Sequence, residues 1–232
     1  MDGIKHQQNA SSDRPAMLDA LGLCRRVGDR VLLDHVSVAA RCGDRIAIVG
    51  PTGSGKTLLL RSLAMLDPLE AGEIRWQGME LRGNDIPKFR SQVIYLHQRP
   101  ALIEGTVEHN LRQPFTLGIH QRKSFSRIRI LELLVSLGRD ESFLMKQQRD
   151  LSGGESQLTA MLRAIQLDPN ILLLDEPTAA LDSEATDMVE TLVGRWLDEQ
   201  PTARAAVWVT HNYEQSRRVS TAVLQIREGR LT

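Results

Sequence analysis

A chain of 232 residues suits one large domain, or a domain with a subdomain, and is long enough to bury a sizeable core. Its 29 lysines and arginines balance 29 aspartates and glutamates, so the net charge is zero and no basic excess marks a nucleic-acid surface. Two cysteines, Cys24 and Cys42, exclude a disulfide framework. Neither has a Cys-x-x-Cys or histidine partner at ligand spacing, so both read as reduced and structural.

The first fifteen residues, MDGIKHQQNASSDRP, are polar and lack the apolar stretch of a secretory signal; a flexible tail is expected, with the domain over 16–232. The longest apolar runs, such as Ile171–Leu174, fall far short of a membrane span, so any membrane role must come from a partner. Leu18–Arg26 and Val31–Ala40 alternate apolar and polar residues around a turn at Gly28-Asp29, which predicts an antiparallel hairpin. Arg45–Val49 is a short buried strand, followed by a glycine-rich turn and a helix over Lys56–Met65. Ile74–Trp76 and Val93–His97 read as strands. From Thr106 to about Lys146 the pattern is helical, with Ile128, Leu131, Leu134, Val135 and Leu137 at helix spacing.

The remaining order is helix (about Gly154–Leu167), strand (Ile171–Asp175), helix (Ser183–Glu199), strand (Ala205–Thr210), short helix and strand (Thr221–Ile226). Strands alternating with helices predict an α/β fold, a mostly parallel sheet covered on both faces. The antiparallel hairpin forms an N-terminal β subdomain, and the helical stretch, about 100–150, an α-helical one beside the sheet.

GPTGSGKT comprises Gly50, Pro51, Thr52, Gly53, Ser54, Gly55, Lys56 and Thr57, directly after a strand and opening a helix. Its glycines let backbone N–H groups curl around phosphate oxygens, and the helix dipole favours the negative charge. Lys56 can reach the β- and γ-phosphates, and the Thr57 hydroxyl can bind Mg²⁺. The strand Ile171–Leu174 ends in Asp175-Glu176. Asp175 is placed to hold Mg²⁺, and Glu176 to polarise an attacking water as general base.

LSGGESQ, at Leu151–Gln157, supplies a second anion site, with Ser152, Gly153 and Gly154 at a helix start. One chain has no use for two such sites on one γ-phosphate. A two-fold head-to-tail dimer gives both a use, each signature closing on the other subunit's nucleotide.

GPTGSGKT, Gln98, LSGGE, LLLDEPTAALD and the histidine of WVTHN together resemble the motif set of ATP-binding-cassette ATPases, in that family's order. The resemblance runs from about Leu18 to the C-terminus and implies a P-loop NTPase core that binds ATP with Mg²⁺. It makes Gln98 the glutamine that contacts Mg²⁺ and the water, His211 the switch histidine on the γ-phosphate, and Asp182 the aspartate at the dimer seam. Asp182 also stands where an N-cap of the following helix belongs. The family implies an ATP-dependent homodimer and a separate integral membrane permease, with this chain cytoplasmic and peripheral on the membrane's inner face.

HQRPALIEGTVEHNL with AAVWVTHN looks most like the Fet-type cassette of bacterial iron exporters. Arg99–Gly105 and Thr106–Phe115, with Leu102, Ile103 and Phe115, are expected to line the groove for a permease coupling helix. Two departures stand out. Many relatives stack adenine on an aromatic residue upstream of the phosphate loop, where this chain has Cys24-Arg25-Arg26-Val27. The signature continues Ser156-Gln157-Leu158, where many relatives carry basic residues. The alternative is a non-transport cassette such as an iron–sulfur assembly factor. Chromosome-maintenance relatives are excluded because no heptads separate Lys56 from Ser152, and translation-type relatives because they carry two cassettes.

Overall fold

The computed structural model describes residues 15–28 and 30–232. The expected tail, apart from Pro15, and Asp29 of the expected turn lie outside the described residues. Strands β1 (Ala16–Val27) and β2 (Arg30–Arg41) form the expected hairpin. With β4 (Ala71–Trp76) and β5 (Met79–Glu80) they make a four-stranded antiparallel sheet in the order β2-β1-β4-β5.

The second sheet carries β3 (Arg45–Val49), β6 (Val93–Leu96), β7 (Ile171–Asp175), β8 (Ala205–Val209), β9 (Ala222–Arg227) and β10 (Arg230–Leu231). Its order is β10-β9-β3-β8-β7-β6, parallel except for the β9/β10 hairpin. Alternate side chains of β7 and β8 enter two different cores. Ile171, Leu173, Val207 and Val209 pack towards the antiparallel sheet and α1 (Lys56–Leu63). Leu172, Leu174, Ala206 and Trp208 pack towards the helices on the opposite face. Every residue of both strands is buried, and this explains why their sequences are apolar without alternation.

The opposite face is covered by α3 (Val107–Arg112), α4 (Arg127–Ser136), α5 (Gly153–Ile165) and α6 (Ser183–Glu199). The expected helical stretch from Thr106 to Lys146 is thus two short helices joined by 3-10 turns, because Pro114 and Gly118 interrupt regular helix. In α4 the apolar spacing also misplaces the buried face. Ile130 and Leu134 are buried, whereas Ile128 and Val135 are 72% and 75% exposed. Two short helices complete the fold: α2 (Ile86–Gln92), unforeseen in the sequence, and α7 (Tyr213–Val219).

Candidate active site

The parallel strands deliver their C-terminal ends to one edge of the sheet, where the predicted residues meet. The loop from β3 to α1 is held close to its surroundings. A side chain at Gly55, whose φ is 106°, would place a Cβ 2.6 Å from the Leu32 carbonyl. At Gly50 a Cβ would lie 2.2 Å from the Ile226 carbonyl. At Gly50 and Gly55 the loop therefore has no room for a side chain.

Lys56 turns back over this loop and donates to the carbonyls of Gly50 (2.8 Å) and Pro51 (2.9 Å). Burial holds its amine below the ordinary lysine value, an effect offset in part by the negative charges of Glu176 and Asp175. The buried Ser54 hydroxyl finds no partner among the described residues. An unpaired buried hydroxyl beside a curled glycine-rich backbone suits a ligand rich in acceptor oxygens.

Thr57 Oγ1 donates to Asp175 Oδ1 at 3.1 Å, and Tyr95 donates its hydroxyl to Asp175 Oδ2 at 2.8 Å. Asp175 is 2% exposed, and this pair of hydrogen bonds fixes both of its oxygens. Burial, then the negative charge of Asp175, push the Tyr95 hydroxyl well above the ordinary tyrosine value, so it stays a donor. The Thr57 hydroxyl, the Asp175 carboxylate and nearby Glu176 form an all-oxygen set, which fits Mg²⁺. Tyr95 was not among the sequence candidates.

Glu176 leaves β7 in the left-handed region, with φ of 46°, a strained conformation for a residue with a Cβ. Its amide donates to the Val209 carbonyl at 3.0 Å. Gln98 Nε2 donates to Glu176 Oε2 at 3.1 Å, and His211 Nδ1 lies 3.4 Å from the same oxygen. A 220 Å³ cavity beside Glu176 is lined by Thr178, Thr210, His211 and Gln215. Gln215 ties its wall together by bonding Thr210 and Thr178.

The remaining predicted residues stand apart from this centre. Ser152 caps α5 with a reciprocal pair, its hydroxyl accepting from the Glu155 amide and its own amide donating to Glu155 Oε2. Gly153 lies in the first turn of α5. Gly154 presses on the loop before α6: a Cβ there would meet the Ala180 carbonyl at 2.9 Å. Asp182 caps α6 by accepting from the Ala185 amide.

Upstream, Arg25 is engaged with the Pro68 carbonyl, while Arg30 reaches from the hairpin towards the Gly53 carbonyl at 3.4 Å. A 330 Å³ groove next to Gln98 is lined by Tyr95, His97, Ala101, Pro114, Leu117 and Arg163, among others. Leu102, Ile103 and Phe115 are not in its wall; Phe115 instead meets Phe125 edge-on at 6.2 Å.

The family described as "ABC transporter" matches residues 33–179. The chain is 34% identical over 188 residues to the Escherichia coli (strain K12) protein named "Probable iron export ATP-binding protein FetA", covering 81% of each. It is also 34% identical over 220 residues to the sulfate/thiosulfate import ATP-binding protein CysA of Bordetella bronchiseptica. That match covers 92% of this chain, which spans 60% of the length of that relative. Among solved structures, the dimeric post-hydrolysis state of the ATP-binding cassette MJ0796 with ADP and Pi is similar, with a TM-score of 0.82 and 27% identity. It aligns over 93% of this chain and 96% of that one.

Proposed function

From the premise that the chain belongs to the ABC transporter family, as one of its ATPase cassettes, we propose that it is the ATP-binding subunit of a transporter. In this reading 16–232 form the cassette, and two copies close head to tail on two ATP molecules. A separate membrane permease is driven by that closure. No helix among the described residues is long and apolar enough to cross a membrane, so the reading places the translocation path in the partner.

The observation that carries the proposal is the convergence of Lys56, Thr57, Asp175, Glu176, Gln98 and His211 at one sheet edge. Loop amides and Lys56 receive the β- and γ-phosphates; Lys56 need only exchange its two carbonyl partners for phosphate oxygens. Thr57 and Asp175, with Gln98 as a further candidate, would hold Mg²⁺, which would supply positive charge against the phosphates. Glu176 takes a proton from the attacking water. Gln98 and His211 both address Oε2 of that carboxylate, which leaves Oε1 for the water. Ser152, Gly153 and Gly154 of the second copy contribute a helix N-terminus to the same γ-phosphate, and Asp182 lies at the seam.

The groove beside Gln98 is the docking place for a cytoplasmic coupling element of the permease, so occupancy of the ATP site is felt there through Gln98 and Tyr95. Iron is the cargo suggested by likeness to FetA, and a sulfur oxyanion the one suggested by likeness to CysA. The test is co-expression with the candidate permease. The chain should co-purify with detergent-solubilised membranes, and Glu176→Gln should trap an ATP-dependent dimer. Recovery with soluble partners only, or a chain monomeric with ATP in that variant, would overturn the reading.

A further inference from the structure

Cys24 has no ligand partner at any short sequence spacing, yet the hairpin supplies two. Leu23 pairs with Val36 and Arg25 with Leu33, so Cys24 stands alone on β1 opposite both Asp34 and His35 on β2. This is a β-bulge, and its second residue, His35, sits at φ 52°. The bulge re-aims two consecutive side chains at one sulfur. The Cys24 thiol, an Asp34 oxygen and a His35 ring nitrogen all lie within 4.8 Å of one another.

We propose that Cys24, Asp34 and His35 form a site for a borderline-soft divalent cation of the zinc class, separate from the Mg²⁺-ATP site. Thiolate, imidazole and carboxylate together favour Zn²⁺ or Co²⁺ over Mg²⁺, which prefers oxygen alone. Three protein ligands leave the fourth position to water. The His35 amide donates to Cys24 Sγ at 3.4 Å, and Sγ lies 3.5 Å from the Gly22 carbonyl, a contact that a bound cation would replace. Asp34 divides its oxygens: Arg230 holds Oδ2 (2.6 Å), while Oδ1 faces His35 Nδ1 at 2.7 Å.

A tetrahedral cation holds its nitrogen and oxygen ligands about 3.3 Å apart, so the His35–Asp34 contact must widen by about 0.6 Å. The His35 side chain is 82% exposed and can give that distance by turning. Arg230 stays on Oδ2 and orients the carboxylate. The site also adjoins the phosphate loop, since the Asp34 amide bonds the Gly229 carbonyl and the Gly229 amide bonds the Ser54 carbonyl.

The test titrates Co²⁺, then Zn²⁺, into the full chain with a phosphine reductant, saturating Mg²⁺ and ATP being present throughout. One equivalent of Co²⁺ should give a thiolate-to-cobalt absorption band in the near ultraviolet, displaced by Zn²⁺. Cys24→Ser should abolish the band and weaken Zn²⁺ at least about tenfold, with Cys42→Ser unchanged. His35→Gly should do the same to Zn²⁺ while relieving the left-handed strain, so that its loss of binding is not a loss of fold. No band in the parent chain, or a band that survives Cys24→Ser, would overturn the proposal. So would Zn²⁺ affinity unchanged in His35→Gly.

Discussion

Tyr95 holds Asp175 from behind: its hydroxyl donates to Oδ2 across 2.8 Å while Thr57 takes Oδ1. Beside the Tyr95 hydroxyl stands Arg61, itself locked by two hydrogen bonds to Asp67. Removing the hydroxyl in Tyr95→Phe leaves the ring packed and frees one carboxylate oxygen. Apparent Mg²⁺ affinity in ATP hydrolysis should fall about 10- to 100-fold, with turnover recovered at high Mg²⁺. A turnover defect that Mg²⁺ does not repair would refute the positioning role.

Glu176 is the only carboxylate contacted by both Gln98 and His211 among the described residues. Glu176→Gln should lower turnover roughly 10²- to 10⁴-fold and leave ATP affinity near the parent value. Lys56→Ala, in contrast, should lose nucleotide binding itself. Calorimetry of both variants with ATP separates binding from chemistry. Normal hydrolysis by Glu176→Gln would remove it as the base.

Ser152 and Gly154 differ in what their substitution disturbs. Ser152→Ala removes the cap of α5 as well as the donor proposed for the partner's nucleotide, so about 1 kcal/mol of stability should go with activity. Gly154→Asp should leave ATP binding by one subunit intact and abolish the hydrolysis that depends on the dimer. Denaturant midpoints, ATP titrations and rates as a function of protein concentration test both.

His120 is 6% exposed, and burial, then the charge of Lys123, hold its imidazole below its ordinary value. The folded state therefore binds fewer protons than the unfolded state as the pH drops. Stability contributed this way is fully present above about pH 6.5 and is lost as acid protonates the unfolded imidazole, down to the folded value. Urea midpoints at about pH 7.5 and 5.5 should differ more in the parent chain than in His120→Gln. Equal acid losses would dismiss the histidine as their source.

Nothing at 24–27 offers an ATP base an aromatic face. With Arg25 engaged at Pro68 and no aromatic residue at 24–27, the stacking contribution of roughly 1–3 kcal/mol is absent. The isolated chain should bind ATP modestly and GTP within about tenfold of it. A strongly ATP-selective isotherm at micromolar affinity or better would contradict this.

What the sequence disclosed was local. A strand, a glycine-rich turn and a helix start follow one another in a few residues, so the phosphate loop is legible without any tertiary contact. The strand Ile171–Asp175 is equally plain because both its faces are buried. Tyr95 was invisible because its partner lies 80 positions away and only the parallel pairing of β6 with β7 brings them together. Cys24 and His35 escaped for a related reason, since a bulge, not sequence spacing, aligns them. In α4, Ile128 and Val135 satisfied helical periodicity on a face that faces water, and composition could not tell which stripe was inside. The short α2 has Phe89 as its one buried apolar residue, too little pattern to read.

The contact of Gly154 with Ala180 has a consequence for how two bound nucleotides communicate. Ala180 stands between Glu176 and Asp182, while Gly154 belongs to the start of α5, which the proposed dimer offers to the partner's ATP. A Cβ at position 154 would press on both the Ala180 carbonyl and the Leu181 side chain, so the two segments fit like adjoining teeth. In the proposed head-to-tail dimer, a shift of the Glu176 loop on one side would press on the helix start that serves the other. Such a dimer would be geared: hydrolysis on one side would retime the other, and a single bulky residue at position 154 would strip the gear.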